Sequence, residues 1–327
     1  MADQRATASA TAEFSATWEA IVENVERALR GKREAVELAT TALVAGGHVL
    51  IEDVPGVGKT LLAKALAASI HATWSRVQFT PDLLPSDIIG VGVWEKRTGK
   101  LNFRPGPIFH HIVLGDEINR ASPKTQSALL EAMEERQVTV DGVSHRLEEP
   151  FMVLATQNPV EFEGTYPLPE GQLDRFMLRV TLGYPDRHTE IAILEHHIDD
   201  DQFLHLEPVA TTADVLALRD IAQEVFVAPA LRSYLVDLAD ASRRHPDVAI
   251  GMSPRATLAV LRAARVRAAA AGREFVVPDD VQGLLAPTVA HRLTLTADAR
   301  LDGAGEADVL ADVLGSIPVP TRRSASA

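Results

Sequence analysis

The sequence has no cysteine, which excludes disulfides, thiolate zinc sites and cysteine nucleophiles. It also lacks long apolar runs. The longest uncharged apolar-leaning stretch, Leu38 to Ile51, is interrupted by Thr, Gly46-Gly47 and His48, and is too short for a membrane-spanning helix. Met1 to Ser15 is rich in Ala, Thr and Ser and shows no apolar core of a secretory signal. Positive charge is in deficit, with 32 Lys and Arg against 45 Asp and Glu and a net charge of −13. That balance excludes general nucleic-acid affinity, because phosphate backbones are held by basic patches. Four of the 11 histidines form adjacent pairs, His110-His111 and His196-His197, which lack the spacing that sets two ligands on one helix face, and no H-E-x-x-H occurs. No internal repeat of about 20–50 residues is present. With 46% hydrophobic and 24% charged residues over 327 positions, the expectation is an ordinary soluble, cytoplasmic, two-domain protein with no membrane span.

What is present is one stretch around which the rest is organised. His48 to Glu52 reads as a short apolar strand, Val54-Pro55-Gly56-Val57-Gly58 as a sharp turn, and Lys59-Thr60-Leu61 as the start of a helix running to about Ile70. Strand, glycine loop and helix in that order form a phosphate-binding loop. The glycines let successive N–H groups converge, and the helix N-terminus adds partial positive charge. Lys59 reaches the β- and γ-phosphates, and the Thr60 hydroxyl can ligate magnesium. The usual pattern, G-x-x-x-x-G-K-[ST], places its first glycine where this chain has Asp53. Asp tolerates turn geometry; a carboxylate pointing at the phosphates would weaken binding.

Such a loop calls for an apolar strand ending in a carboxylate that holds magnesium. Ile112-Val113-Leu114-Gly115-Asp116-Glu117 supplies it, with Asp116 on the metal side and Glu117 as the base for the attacking water. Asn158 follows the strand Phe151 to Thr156. In an open parallel sheet that puts it outside the strand ends, near the γ-phosphate, against the alternative of a turn-forming Asn before Pro159. Arg175 and Arg255 are candidate cations for the transition-state charge, against the alternative that each is solvated or salt-bridged. Phe162 and Tyr166 are expected to pack the loop before the strand Phe176 to Leu182.

Further strands are predicted near Ser75 to Phe79 and in two hairpins, one turning at Arg97-Thr98-Gly99 and one at Asp141-Gly142. Strands alternate with helices up to about Pro185, which implies a parallel sheet covered on both faces. Helices alone are predicted beyond it, at 187–198, 212–224, 229–244, 254–271 and 278–290. The expected division is a disordered tail over residues 1–15, an α/β core over 16–190 and a helical domain over 191–327.

These residues resemble the MoxR group of AAA+ ATPases, within the branch that includes the magnesium-chelatase ATPase subunit. The resemblance covers about residues 20–320 and is carried by VLIEDVPGVGKT (49–60), DEINRASPKTQSALLEAMEERQVT (116–139), FMVLATQNPVEFEGTYPLPEGQLDRFMLRV (151–180) and SPRA (253–256). It implies a three-layer αβα core with a helical lid, binding ATP and magnesium. It matches Lys59 and Thr60 to the Walker A residues, Asp116 and Glu117 to Walker B, and Asn158 to sensor 1. Arg175 corresponds to the finger offered to a neighbouring subunit and Arg255 to sensor 2. The two hairpins resemble the helix-2 and pre-sensor insertions. The resemblance further implies a homo-oligomeric ring, hexameric, working chaperone-like on a von Willebrand factor A domain protein. A nucleotide-gated scaffold with little turnover is the alternative.

Overall fold

A computed structural model describes residues 2–97, 99–158, 165–195 and 206–320. Phe162, the His196-His197 pair and the end of the helix expected over 187–198 lie outside the described residues. The chain divides into two compact units, residues 17–218, and residues 1–16 together with 219–327.

The first unit holds helices α1 (Ala2–Ala28, which begins in the other unit), α2 (Arg33–Val44), α3 (Lys59–Ser69), α4 (Pro85–Ile89), α5 (Pro123–Glu135), α6 (Glu170–Leu173), α7 (Arg187–Glu195) and the start of α8 (Thr212–Glu224). Its strands are β1 (Val49–Glu52), β2 (Trp74–Gln78), β3 (Gly90–Glu95), β4 (Lys100–Pro105), β5 (Ile112–Asp116), β6 (Gln137–Val140), β7 (Val143–Arg146), β8 (Met152–Gln157) and β9 (Leu178–Val180). Five of them form one parallel sheet in the order β2-β5-β8-β1-β9. Side chains alternate faces along a strand. Leu50, Val113 and Val153 therefore face the core with Leu129, Leu130 and Met133 of α5, while Val49, Ile51, Ile112 and Leu154 face the other way. All seven sheet residues are 0% exposed, so both faces are covered, as a parallel sheet requires. The edge strand β2 is largely half-buried or exposed.

The two hairpins stand apart from this sheet as β3-β4 and β6-β7. Asp141 and Gly142 turn the second one with φ of 51° and 79°, the left-handed pair that a two-residue turn needs. The hairpins also meet each other. Phe103 stacks on His145 with ring centroids 3.9 Å apart, and Phe103 packs edge-on against Phe109 at 5.4 Å. A Cβ at Gly92 would overlap the Asp141 carboxylate, so glycine there permits the approach.

Two features of the structure bear on the expected division. The tail expected over residues 1–15 is helical from Ala2, within α1. Repeated alanines favour helix without any apolar stripe, and Phe14 is fully buried. The division of the chain falls at Leu218/Arg219, later than the expected 190. Asn24 and Ser69 explain the delay. The Asn24 side chain donates to Ser69 Oγ at 3.0 Å and to the Glu207 carbonyl at 3.1 Å, and the Ser69 carbonyl accepts the Val209 N–H at 2.9 Å.

The second unit contains α9 (Pro229–Arg244), α10 (Pro254–Ala270), α11 (Pro278–Val289), α12 (Ala297–Leu301) and α13 (Glu306–Ser316). It also has a two-stranded antiparallel ribbon, β10 (Val248–Ile250) with β11 (Thr294–Leu295), which the helical pattern does not announce. Ser253 caps α10 by accepting the Ala256 N–H at 3.0 Å, just as Ser122 caps α5 through Thr125.

Candidate nucleotide site

The parallel register brings the strand ends to one edge. Glu52 of β1 lies opposite Gln157 of β8, and Gln78 of β2 lies opposite Asp116 of β5. At the end of β1 the chain turns through Val54 to Gly58 into α3. Gly56 and Gly58 have φ of +85° and +100°, which side chains disfavour. A Cβ at Gly58 would also lie 2.7 Å from Leu29 Cδ1, whereas one at Gly56 would meet nothing within 4 Å. The first turn of α3, with Lys59, Thr60 and Leu61, presents N–H groups that have no intrahelical acceptor.

The Lys59 ammonium donates to the Asp53 carbonyl. Burial lowers its pKa, a shift opposed by the negative charges of Asp53, Asp116 and Glu117. The Asp53 carboxylate itself turns to the backbone: it accepts the N–H groups of Val54, Leu182 and Gly183 at 2.8, 2.7 and 2.6 Å.

Side chains from neighbouring strands hold the end of β5. Asp116 Oδ1 accepts the Thr156 hydroxyl at 2.6 Å, and its Oδ2 accepts Arg76 Nη2–H at 2.6 Å. The Glu117 N–H donates to Thr156 Oγ1 at 2.8 Å, while its Oε2 accepts from Gln78 at 2.9 Å and from Arg120 at 2.8 Å. Glu117 has φ of +56°. A non-glycine residue in this region is uncommon and tends to be held by its surroundings. Thr156, Arg76, Gln78 and Arg120 are the participants that sequence reading misses. The strand register, which sets Asp116 beside Thr156 and Gln78, could have pointed to the first three, and the i,i+3 spacing from Glu117 to Arg120.

Asn158 directly follows β8 at the same edge. Arg175 lies just beyond α6, with its Nε 3.0 Å from Glu134 Oε2, so in this chain it is ion-paired. Arg255 is exposed in the first turn of α10, in the other unit. A cavity of about 400 Å³ is lined by Gly31, Lys32, Ala35, Leu38, Val180 and Leu182. Among the described residues no cluster of three or more His, Asp or Glu side chains could hold a metal, and no helix is long and apolar enough to cross a membrane.

A glycine-shaped loop leaving β1, with β5 ending in paired carboxylates two strands away, is the layout of an AAA+ nucleoside triphosphatase. Comparison with known proteins narrows this. The model of the ATPase family associated with various cellular activities matches residues 48–178, and that of the AAA lid domain matches residues 240–313. The chain is 47% identical over 304 residues to protein YeaC of Bacillus subtilis, covering 93% of this chain and 95% of that one. It is 40% identical over 314 residues to chaperone MoxR1 of Mycobacterium tuberculosis, covering 93% and 82%. With protein MoxR of Methylorubrum extorquens it shares 31% over 321 residues, covering 90% and 93%. A crystal structure of a candidate ATPase from Cytophaga hutchinsonii matches with a TM-score of 0.90 at 32% identity, over 98% of this chain and 100% of that one. The chain belongs to the MoxR family of AAA+ ATPases.

Proposed function

We propose that the protein is a cytoplasmic ring ATPase, hexameric, that hydrolyses ATP to remodel partner protein complexes during their maturation, with a von Willebrand factor A domain protein as the partner. The observation that carries the catalytic reading is that the glycine loop leaving β1 into Lys59 and the Asp116-Glu117 pair ending β5 lie at the same edge of one parallel sheet. The backbone of Val54 to Leu61 cradles the phosphates, and Lys59 binds the terminal ones. The cavity beside Leu182, whose N–H is bonded to Asp53, takes the base.

The Thr60 hydroxyl and the Asp116 carboxylate are hard oxygen donors that suit magnesium. Asp116 Oδ2 already faces a cation, the Arg76 guanidinium. Bound there, magnesium would supply charge neutralisation at the phosphates. Glu117 takes the proton of the attacking water and Asn158 orients that water. Arg175, released from Glu134, serves the neighbouring subunit's site, and Arg255 contacts the nucleotide from the lid.

The hairpins are the surfaces offered to a partner. Val91, Val93, Trp94, Leu101 and Val143 are between 39% and 61% exposed on them. Support for a chaperone-like role comes from the relative named chaperone MoxR1.

One observation favours the alternative of a nucleotide-gated scaffold with little turnover: both carboxylates of β5 are engaged, Asp116 by Arg76 and Glu117 by Gln78 and Arg120. Steady-state phosphate release by the purified protein with ATP and magnesium separates the two. Glu117→Gln should bind ATP normally and release phosphate about 10²–10⁴-fold more slowly. A wild type that binds ATP without turnover, or a Glu117→Gln variant as fast as wild type, removes the hydrolytic reading.

A further inference from the structure

Asp53 stands where the usual phosphate-loop pattern has glycine, and every part of it is engaged. Its N–H donates to the Gln157 carbonyl of β8 at 3.3 Å. Its carbonyl accepts the Lys59 ammonium. Its carboxylate reaches the opposite side: Oδ2 receives the N–H groups of Leu182 and Gly183, and Oδ1 that of Val54. The residue is only 6% exposed.

Why the carboxylate is needed follows from the sheet. The β1-β9 ladder ends at Ile51 opposite Val180. Past it β1 pairs only with β8, through Glu52 opposite Gln157, and the amides after β9 have no ladder partner on β1. Gly183, at φ of +63°, lets two consecutive N–H groups point at one oxygen, the concave arrangement that favours an anion. Asp53 fills it with a buried charge-assisted pair of hydrogen bonds, a strong kind of contact. Its negative charge is thereby held on backbone amides.

We propose that Asp53 is the positioning residue of the phosphate loop. It clamps the start of the loop between the ends of β8 and β9, holds the Lys59 amine through its own carbonyl, and so presets the loop before nucleotide arrives. Because Leu182 also lines the cavity assigned to the base, the clamp fixes the phosphate and base subsites relative to each other; this last point rests on the site reading above. Glycine at this position would leave the β9 amides unpaired and the loop free to sample other shapes, and ordering it on binding would then cost affinity.

The test uses the full-length protein and two variants, Asp53→Gly and Asp53→Asn. Without nucleotide, hydrogen exchange of the peptide spanning residues 178–186 should be slow in wild type. It should be faster by about tenfold in Asp53→Gly and by less in Asp53→Asn, which keeps one carbonyl acceptor. ADP affinity by calorimetry should fall about tenfold in Asp53→Gly and the KM for ATP should rise with it, while kcat stays within about twofold because the reacting groups are untouched. Unchanged exchange in both variants overturns the clamp. So does a loss of affinity with exchange unchanged, which would mean that Asp53 acts on the phosphates directly. Freed amides with unchanged ADP affinity overturn the presetting role. The exchange measurement needs no nucleotide and judges the clamp even if ADP binds elsewhere; a Lys59→Ala variant with normal ADP affinity would instead remove the site itself. Asp53→Asn carries the test should Asp53→Gly fail to fold.

Discussion

The loop that leaves β1 and the carboxylates that end β5 occupy the same edge of one sheet, yet they are built in opposite ways. Beyond the Asp53 clamp at its start, main-chain conformation shapes the loop: two glycines at positive φ, a proline, and the open first turn of α3. Borrowed side chains fix the carboxylates: Thr156 from β8, Arg76 and Gln78 from β2, and Arg120 from the following turn. The first kind of site announces itself in a local run of residues. The second exists only once separate strands have found their register. It follows that the loop should be sensitive to backbone freedom, and the β5 end to the loss of polar partners.

The contrast can be broken most decisively at Lys59, the one side chain on which the loop depends for charge. Lys59→Ala should weaken ATP and ADP binding by about 100-fold or more, since charge-assisted contacts to phosphate are the strong ones; affinity within threefold of wild type by calorimetry would show that the triphosphate is held elsewhere. The two glycines sharpen the comparison at the next level. Both Gly56→Ala and Gly58→Ala place a side chain at positive φ, a cost of about 1–2 kcal/mol. Gly58→Ala should cost about 0.5–1.5 kcal/mol more, because the end of the Leu29 side chain would have to turn aside. Urea denaturation of the two variants checks the order, and equal midpoints would remove the Leu29 contact from the account.

The smallest effect expected is a pH dependence. Burial disfavours the charged Lys59, so its folded pKa lies below the ordinary value of 10.5. The unfolded chain therefore binds more protons between the two values, and the penalty of burying the charge is relieved as pH rises through that window. Bound phosphate favours the charged amine. Nucleotide binding in the same alkaline window should take up protons and weaken as pH rises. Calorimetry in buffers of different ionisation enthalpy measures that uptake; proton release in that range would reverse the assignment.

Much of the fold is legible in the sequence where a local cause acts. Ser122-Pro123 and Ser253-Pro254 start α5 and α10 as capped helices, and Asp141-Gly142 turns its hairpin at positive φ. Val49 to Thr60 gives strand, loop and helix within a few residues. Non-local causes are what the sequence conceals. The ribbon of β10 and β11 is too short for periodicity to register and joins segments far apart in the chain. The helix over Ala2–Ala28 starts in alanines that carry no apolar stripe. Thr156 looks like the end of an apolar strand until the β5-β8 register places it beside Asp116. Asp53 reads as a departure from a pattern, and only the position of Leu182 and Gly183 gives its carboxylate a purpose.

The stacking of Phe103 on His145 has a mechanical meaning. It joins β4 of the first hairpin to β7 of the second, so the two hairpins share one ring contact. Phe103 also abuts Phe109, in the short turn that leads into β5. The hairpin pair is thus tied by ring contacts to the turn that precedes β5, the strand whose last residue is Asp116.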